Sequence, residues 1–368
     1  MANIKFWLLV PVVFINMCIL SMMYSEKVPS RVTMVGKEEF LFFSGTSYLG
    51  MHARPEFGEL VKKGIDLYGT NYGASRLGNV SIPVFEEAEE KFAAWIGAPS
   101  ALLVSSGTLA GRLILESLGS DYIYHFGTNA HVAINPLYNS SKAPNAFNCS
   151  IEDTLDSVYF SKGENHIITF NTVDALTAKM PSLDWVSALP ADEKIVLVID
   201  DSHGLGVMGS KGRGLYENIK ILHPDTILIS SLGKAMGLPG GLIAGPYEYI
   251  INAKRHALFG GSSPMAPAYA FAYLHANEIY DAAYKQLQGN IERFINGLRR
   301  SDLFNFTSHF PVFCTLNKEL ATYLEMHKIR ISQFAYPSPK DKIYTRVIIN
   351  ALHTEADIDR LHSLINMF

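Results

Sequence analysis

At 368 residues, 48% of them hydrophobic and 18% charged, the chain is long enough for one large domain and a smaller one, each with a substantial core. A net charge of −4 without any basic run argues against a nucleic-acid-binding surface. Cys18, Cys149 and Cys314 are too few and too widely spaced for a disulfide framework or a zinc site, so a reducing compartment is expected and no metal is assigned.

Phe6 to Tyr24 is an uncharged, mostly apolar run of about 19 residues, the length of a bilayer-spanning helix, interrupted by Pro11 and Asn16. Two readings stand for residues 1–30: a membrane anchor, or an upstream extension of the coding frame with the start at Met22 or Met23. Lys27, Arg31 and Lys37 follow the run and Lys5 alone precedes it, so an anchored chain would keep its catalytic part in the cytoplasm, the expected location in either case. An arm over 31–60 carries a strand at Glu39–Phe43. Tyr68 to Arg76 is a small-residue loop with one arginine, Arg76, able to approach an anionic substrate or simply to sit solvated in a surface turn. Phe85, Ala88, Phe92 and Trp95 recur at helical spacing as core residues, Pro83 suits the helix start, and Gly97 stops it. Ala101–Val104 then reads as a strand running into Ser105-Ser106-Gly107-Thr108 and a helix. Such a turn presents free backbone N–H groups and a positive dipole end to a phosphate, which makes Ser106, Gly107 and Thr108 candidates.

The stretch from Lys194 to Gly245 organises the rest. Ile195-Val196-Leu197-Val198-Ile199 lacks alternation, as a strand buried on both faces does, and it ends in Asp200-Asp201-Ser202-His203, where open α/β sheets bind ligands. Thr226–Ile229 is a second strand, stopping at Ser230-Ser231-Leu232-Gly233-Lys234, and Leu242–Gly245 a third. Pyridoxal phosphate needs an amine to bond, a carboxylate for its ring nitrogen, and donors for its phosphate. Lys234 supplies the amine, Asp200 the carboxylate, His203 a contact to the ring oxygen and Ser231 a phosphate donor. Asp-Asp after a strand also occurs in nucleotide hydrolases, but the Gly-x-x-x-x-Gly-Lys-Ser/Thr loop they require is missing from this sequence.

Ile-Asp-Asp-Ser-His-Gly-Leu-Gly-Val-Met-Gly from Ile199, Gly212-Arg213-Gly214, and Ser-Leu-Gly-Lys-Ala-Met-Gly around Lys234 resemble the α-oxoamine synthase family of fold-type I pyridoxal-phosphate enzymes. Its members include 8-amino-7-oxononanoate synthase, 2-amino-3-ketobutyrate CoA ligase and serine palmitoyltransferase, and the resemblance runs from about Arg31 to the C-terminus. It implies an α/β fold with a mainly parallel central sheet flanked by helices (large domain 61–280) and a smaller α+β domain (281–368). Ser44–Gly50 resembles the family's Ser-Asn-Asn-Tyr-Leu-Gly element at the substrate mouth, with Thr46 and Ser47 in place of the asparagines. His131 is a one-residue-shifted match to the histidine that stacks on the cofactor ring. Ser263 matches a hydroxyl given to the phosphate of the neighbouring subunit, which implies a homodimer with shared sites. Arg346 matches the arginine that grips the amino-acid carboxylate, a role for which a bidentate guanidinium suits better than an ammonium. At Phe170-Asn171-Thr172-Val173-Asp174 the sequence departs from the family pattern.

The implied reaction is condensation of an amino acid with an acyl-CoA, with decarboxylation, in which Lys234, Asp200, His203 and His131 act. An aminotransferase would use the same cofactor residues. A non-catalytic, membrane-tethered partner of an active homologue would have no need of Lys234.

Overall fold

The computed structural model describes residues 25–127, 130–135, 146–336 and 341–368. The apolar run 6–24 and Asn129 lie outside the described residues. Among those described, no helix is long and apolar enough to cross a membrane.

Twelve strands are described, numbered here in chain order: β1 (Val32–Val35), β2 (Glu38–Phe43), β3 (Ser100–Val104), β4 (Ile123–Gly127), β5 (Ala146–Cys149), β6 (Asn165–Asn171), β7 (Lys194–Asp200), β8 (Thr226–Ser231), β9 (Gly241–Gly245), β10 (Val312–Thr315), β11 (Ile329–Ala335) and β12 (Ile343–Ile348). Seven form one sheet in the order β3-β9-β8-β7-β6-β4-β5. Only β9 runs antiparallel to its neighbours, and the other pairings are parallel. The mainly parallel sheet expected from the sequence is therefore present.

Why β7 reads as a continuous apolar run is now plain. Ile195, Leu197 and Ile199 enter one hydrophobic core, while Val196 and Val198 enter a second core on the opposite face. Each fully buried aliphatic chain there stabilises the sheet by roughly 1.5–3 kcal/mol. Both faces are covered, so neither alternates with polar residues.

The chain between β2 and β4 forms three α-helices. They are α1 (Pro55–Tyr68), α2 (Val84–Ile96) and α3 (Gly107–Leu118). In α2, Phe85, Ala88 and Phe92 are buried as their spacing predicts, and Gly97 at φ 80° ends the helix. The alanine- and tyrosine-rich stretch after Pro267 reads as one helical text, but the chain makes two helices, Pro267–His275 and Asn277–Gly297, with Ala276 between them. The break is held by Lys91, whose Nζ donates to the carbonyls of Tyr273 (2.7 Å) and Leu274 (2.9 Å), so the carbonyls freed at the helix end are satisfied.

The second sheet has the order β1-β2-β11-β12-β10. Its β2 pairs in parallel with β11, so the strand expected at Glu39–Phe43 is built into the C-terminal part of the molecule. The final helix, Glu355–Met367, opens with the capping box expected at Thr354 and Asp357.

Candidate active site

The carboxyl ends of β3, β6, β7 and β8 bring the chemistry to one edge of the large sheet. Asp200 ends β7 and is buried; Ser202 N donates to its Oδ1 at 2.9 Å. Asp201 turns the other way, into the protein, where Thr172 Oγ1 and Leu215 N (2.9 Å) donate to its two oxygens. Gly204 and Gly214 make that possible, since a Cβ on either would collide with the Asp201 carboxylate. Of the adjacent acids, only Asp200 faces the cavity.

Lys234 follows β8 in a tight turn. Its Nζ lies 2.9 Å from His203 Nε2, and His203 Nδ1 lies 2.8 Å from the hydroxyl of Tyr48. Burial pulls Lys234 down to about 8; Asp200 opposes the shift and Arg346 adds to it. His203 is held well below its usual range by burial, and then by Lys234, Arg346 and His131, so its ring is neutral. His131 Nδ1 accepts from Ala133 N at 3.2 Å and lies 3.9 Å from Asp200 Oδ2. Asn171 Oδ1 accepts from His131 N at 3.2 Å, fixing the turn that carries the imidazole.

The opposite wall comes from the second sheet. Arg346 on β12 is buried, donates from Nη1 to the carbonyl of Ala175 at 2.7 Å, and lies over the Phe334 ring at 4.7 Å. Its Nε has no hydrogen-bond partner, and no carboxylate stands within ion-pair distance among the described residues. Between the walls is a cavity of about 360 Å³, lined among others by His131, Asp200, His203, Lys234, Phe334 and Arg346.

Beside it lies the N-terminus of α3, the cradle expected to hold an anion. Ser106 caps α3, its Oγ accepting from Leu109 N at 3.1 Å, and Ser106 and Thr108 are exposed. Gly107 packs so closely on β8 that a Cβ would sit 2.7 Å from Ser231 Cβ. Ser231 N in turn donates to Ser202 Oγ at 2.7 Å, which ties the cradle to the Asp200 turn. Amine, carboxylate, a flat imidazole and a helix N-terminus thus stand together, and these residues fit pyridoxal phosphate.

Besides Ser231 and the residues at the α3 N-terminus, three expected residues do not line the cavity. Arg76, expected to face an anionic substrate, is instead buried against Glu89 and Glu86 (3.0 Å) and sandwiched by Phe85 and Phe259, because α2 presents both glutamates to it. That role is corrected to a structural one. Ser47 does not line the cavity, whereas its neighbour Thr46 does. Ser263, expected to serve the neighbouring subunit, is exposed and does not line this cavity. Sequence reasoning missed Tyr48, Asn171 and the aromatic wall of Phe334, Tyr336 and Tyr344. For Tyr48 the signal was an aromatic residue inside a small-residue loop; the others carried none.

The aminotransferase class I and II family model matches residues 41–365. An 8-amino-7-oxononanoate synthase from Buchnera aphidicola is 28% identical over 350 residues, covering 91% of both chains. A serine palmitoyltransferase from Bacteriovorax stolpii is 26% identical over 90% of this chain and 83% of its own. Among solved structures, Sphingomonas wittichii serine palmitoyltransferase superposes with a TM-score of 0.79 at 17% identity, covering 94% of this chain and 91% of that one. The 8-amino-7-oxononanoate synthase of Francisella tularensis gives 0.69 at 21% identity, over 89% and 97%. The chain belongs to the aminotransferase class I and II family of pyridoxal-phosphate enzymes.

Proposed function

We propose that this chain joins an amino acid to an acyl-CoA, releasing carbon dioxide and free CoA, to form an α-amino ketone. One observation carries the substrate end of the reading: Arg346 is a buried cation that faces the Lys234 cavity with no carboxylate in ion-pair distance among the described residues. An amino-acid carboxylate would complete it with a charge-assisted contact.

When bound, pyridoxal phosphate supplies a conjugated ring that takes up the electron pair left on the amino acid's α-carbon. Asp200 would hold the proton on the ring nitrogen, and Ser106, Gly107, Thr108 and Ser231 would hold the phosphate through hydroxyls and backbone N–H groups. His131 offers a flat face to the ring, and His203 a donor to its oxygen. Lys234 would hold the cofactor through its amine and, once displaced by the amino acid, would be placed to take the α-proton. With an amine pulled down to about 8, it holds far more of the neutral, proton-accepting form near neutral pH than an ordinary lysine does. Phe334, Tyr336 and Tyr344 line the cavity and would exclude water while the α-carbon attacks the thioester and the CoA thiol departs.

Residues 61–280 are proposed as the cofactor-binding domain and 281–368 as the smaller domain, with 31–60 as an arm. The working unit is proposed to be a homodimer, with the exposed Ser263 serving the neighbouring subunit's phosphate.

The test is thiol release from acyl-CoAs of rising length against glycine, alanine, serine and cysteate. Thiol release with carbon dioxide supports the reading, and keto-acid formation without thiol would replace it with transamination. Lys234→Ala should abolish turnover and leave no cofactor fixed to the chain by borohydride. Labelling that persists would mean that another lysine bonds the cofactor.

A further inference from the structure

The contacts of Tyr48 reach beyond packing. Its hydroxyl is fully buried and has one hydrogen-bond partner among the described residues, His203 Nδ1 at 2.8 Å. Its ring meets Phe310 edge-on at 6.1 Å, and its carbonyl accepts from Ala351 N at 2.8 Å. Ring and backbone are therefore both anchored, and the hydroxyl meets the site at His203.

The proton count along Tyr48, His203 and Lys234 has few solutions. A buried O–H with one available acceptor donates to it, because the alternative leaves a donor unpaired in the interior. Burial also raises the phenol's pKa, which keeps that proton on oxygen. If Nδ1 accepts, the ring proton of a neutral His203 must sit on Nε2, which faces Lys234 Nζ at 2.9 Å. An Nε2–H needs an acceptor, and a neutral amine is one. An ammonium is not: it has three donors and no lone pair.

We propose that Tyr48 is a positioning residue that locks His203 as its Nε2–H tautomer and thereby favours Lys234 as the neutral, nucleophilic amine in the cofactor-free chain. Once cofactor is present, the same N–H is available as a donor to the ring oxygen. Other charged groups also face this pair: Asp200 favours the ammonium, Arg346 disfavours it, and His131 lies close to His203. Tyr48 acts in addition to them. The tautomer depends only on contacts within this chain. Its consequence for Lys234 rests on the assignment of that residue as the cofactor lysine, and neither depends on acyl-CoA being the second substrate.

The experiment uses the full-length chain freed of cofactor, with ¹⁵N-labelled histidine and the His203 signals assigned by loss in His203→Gln. The wild-type chain should show the Nε2–H tautomer, and an Nδ1–H tautomer overturns the proposal without any variant being needed. In Tyr48→Phe, which keeps the ring against Phe310, the His203 signals should move to a mixed or Nδ1–H pattern. Over the same pH series, fixation of added pyridoxal phosphate by borohydride should show its midpoint displaced upward, with capture roughly fivefold slower on the acid side, the effect of losing one ordinary hydrogen bond. An unchanged tautomer and an unchanged capture profile in a folded Tyr48→Phe would make Tyr48 a packing residue and overturn the proposal. Loss of capture in Lys234→Ala tests the lysine assignment separately.

Discussion

Arg76 and Arg346 are both buried, both lie against aromatic rings, and both keep an Nε without a hydrogen-bond partner. What separates them is where the charge goes. Arg76 meets two carboxylates from the next helix, one of which, Glu89, also accepts Leu103 N at 2.7 Å and so ties the cluster to β3. Arg346 has a carbonyl and a ring, and its remaining face opens on the Lys234 cavity. The first cluster is closed by the protein itself. The second is left for a ligand to close, and this difference separates a structural arginine from a binding one better than burial does.

The sharpest way to break the comparison is to remove each cation. Arg76→Ala leaves Glu89 buried and without its cation, a loss of about 3–5 kcal/mol for a buried pair, so the melting temperature should fall by roughly 4–7 °C in a chain of this length. Amino-acid affinity of the molecules that remain folded should be unchanged. A weakened amino-acid response in a folded Arg76→Ala would put Arg76 back at the substrate.

Arg346→Ala should do the reverse. It removes a charge-assisted contact worth roughly 2–5 kcal/mol when buried, or on the order of 30-fold to several-thousand-fold in amino-acid affinity, with cofactor binding nearly unchanged. Titrating the bound cofactor's absorbance with each amino acid measures this. Equal affinities in wild type and variant would make Arg346 a second structural arginine and remove the distinction.

How far the sequence exposed this difference depends on chain separation. Asp200, His203 and Lys234 were legible because each follows directly on a strand whose unbroken apolar run marks it as central, so their shared edge followed from local pattern. Arg346 was reached through a resemblance, since nothing in Tyr344–Ile349 itself says that β12 faces β7 across a cavity. Arg76 was misread because its glutamates lie on α2, and helical periodicity identifies which face is buried without saying what crosses it. Tyr48 meets His203 across 155 positions, and β2 reaches β11 across a gulf almost twice as wide, pairings set by tertiary packing alone. The helix break at Ala276 was hidden for the same reason: its cap is the side chain of Lys91.

Asp201 offers the finest test, because it is closed by neutral donors where Arg76 is closed by charge. Burial pushes its carboxyl up to about 7, from an ordinary value of 3.8, against the hydrogen bonds from Thr172 and Leu215. Thr172 Oγ1 also has the carbonyl of Asp200 at 3.4 Å, so it can accept a proton from a neutral Asp201 and still donate. A folded-state pKa above the unfolded one means that the folded chain holds the extra proton. The contribution is then fully present below about pH 3.8 and is lost as pH rises through 7. Asp201→Asn fits the same donors, its amide nitrogen toward Thr172 and its oxygen toward Leu215 N, and it carries no charge to bury. Denaturant midpoints across pH 4 to 8 should therefore decline less steeply in the variant, with roughly 1–3 kcal/mol gained relative to wild type at the alkaline end. Parallel curves would mean that Asp201 stays ionised in the interior, held by its two donors alone, and that neutral hydrogen bonds close a buried charge here as well as carboxylates close Arg76.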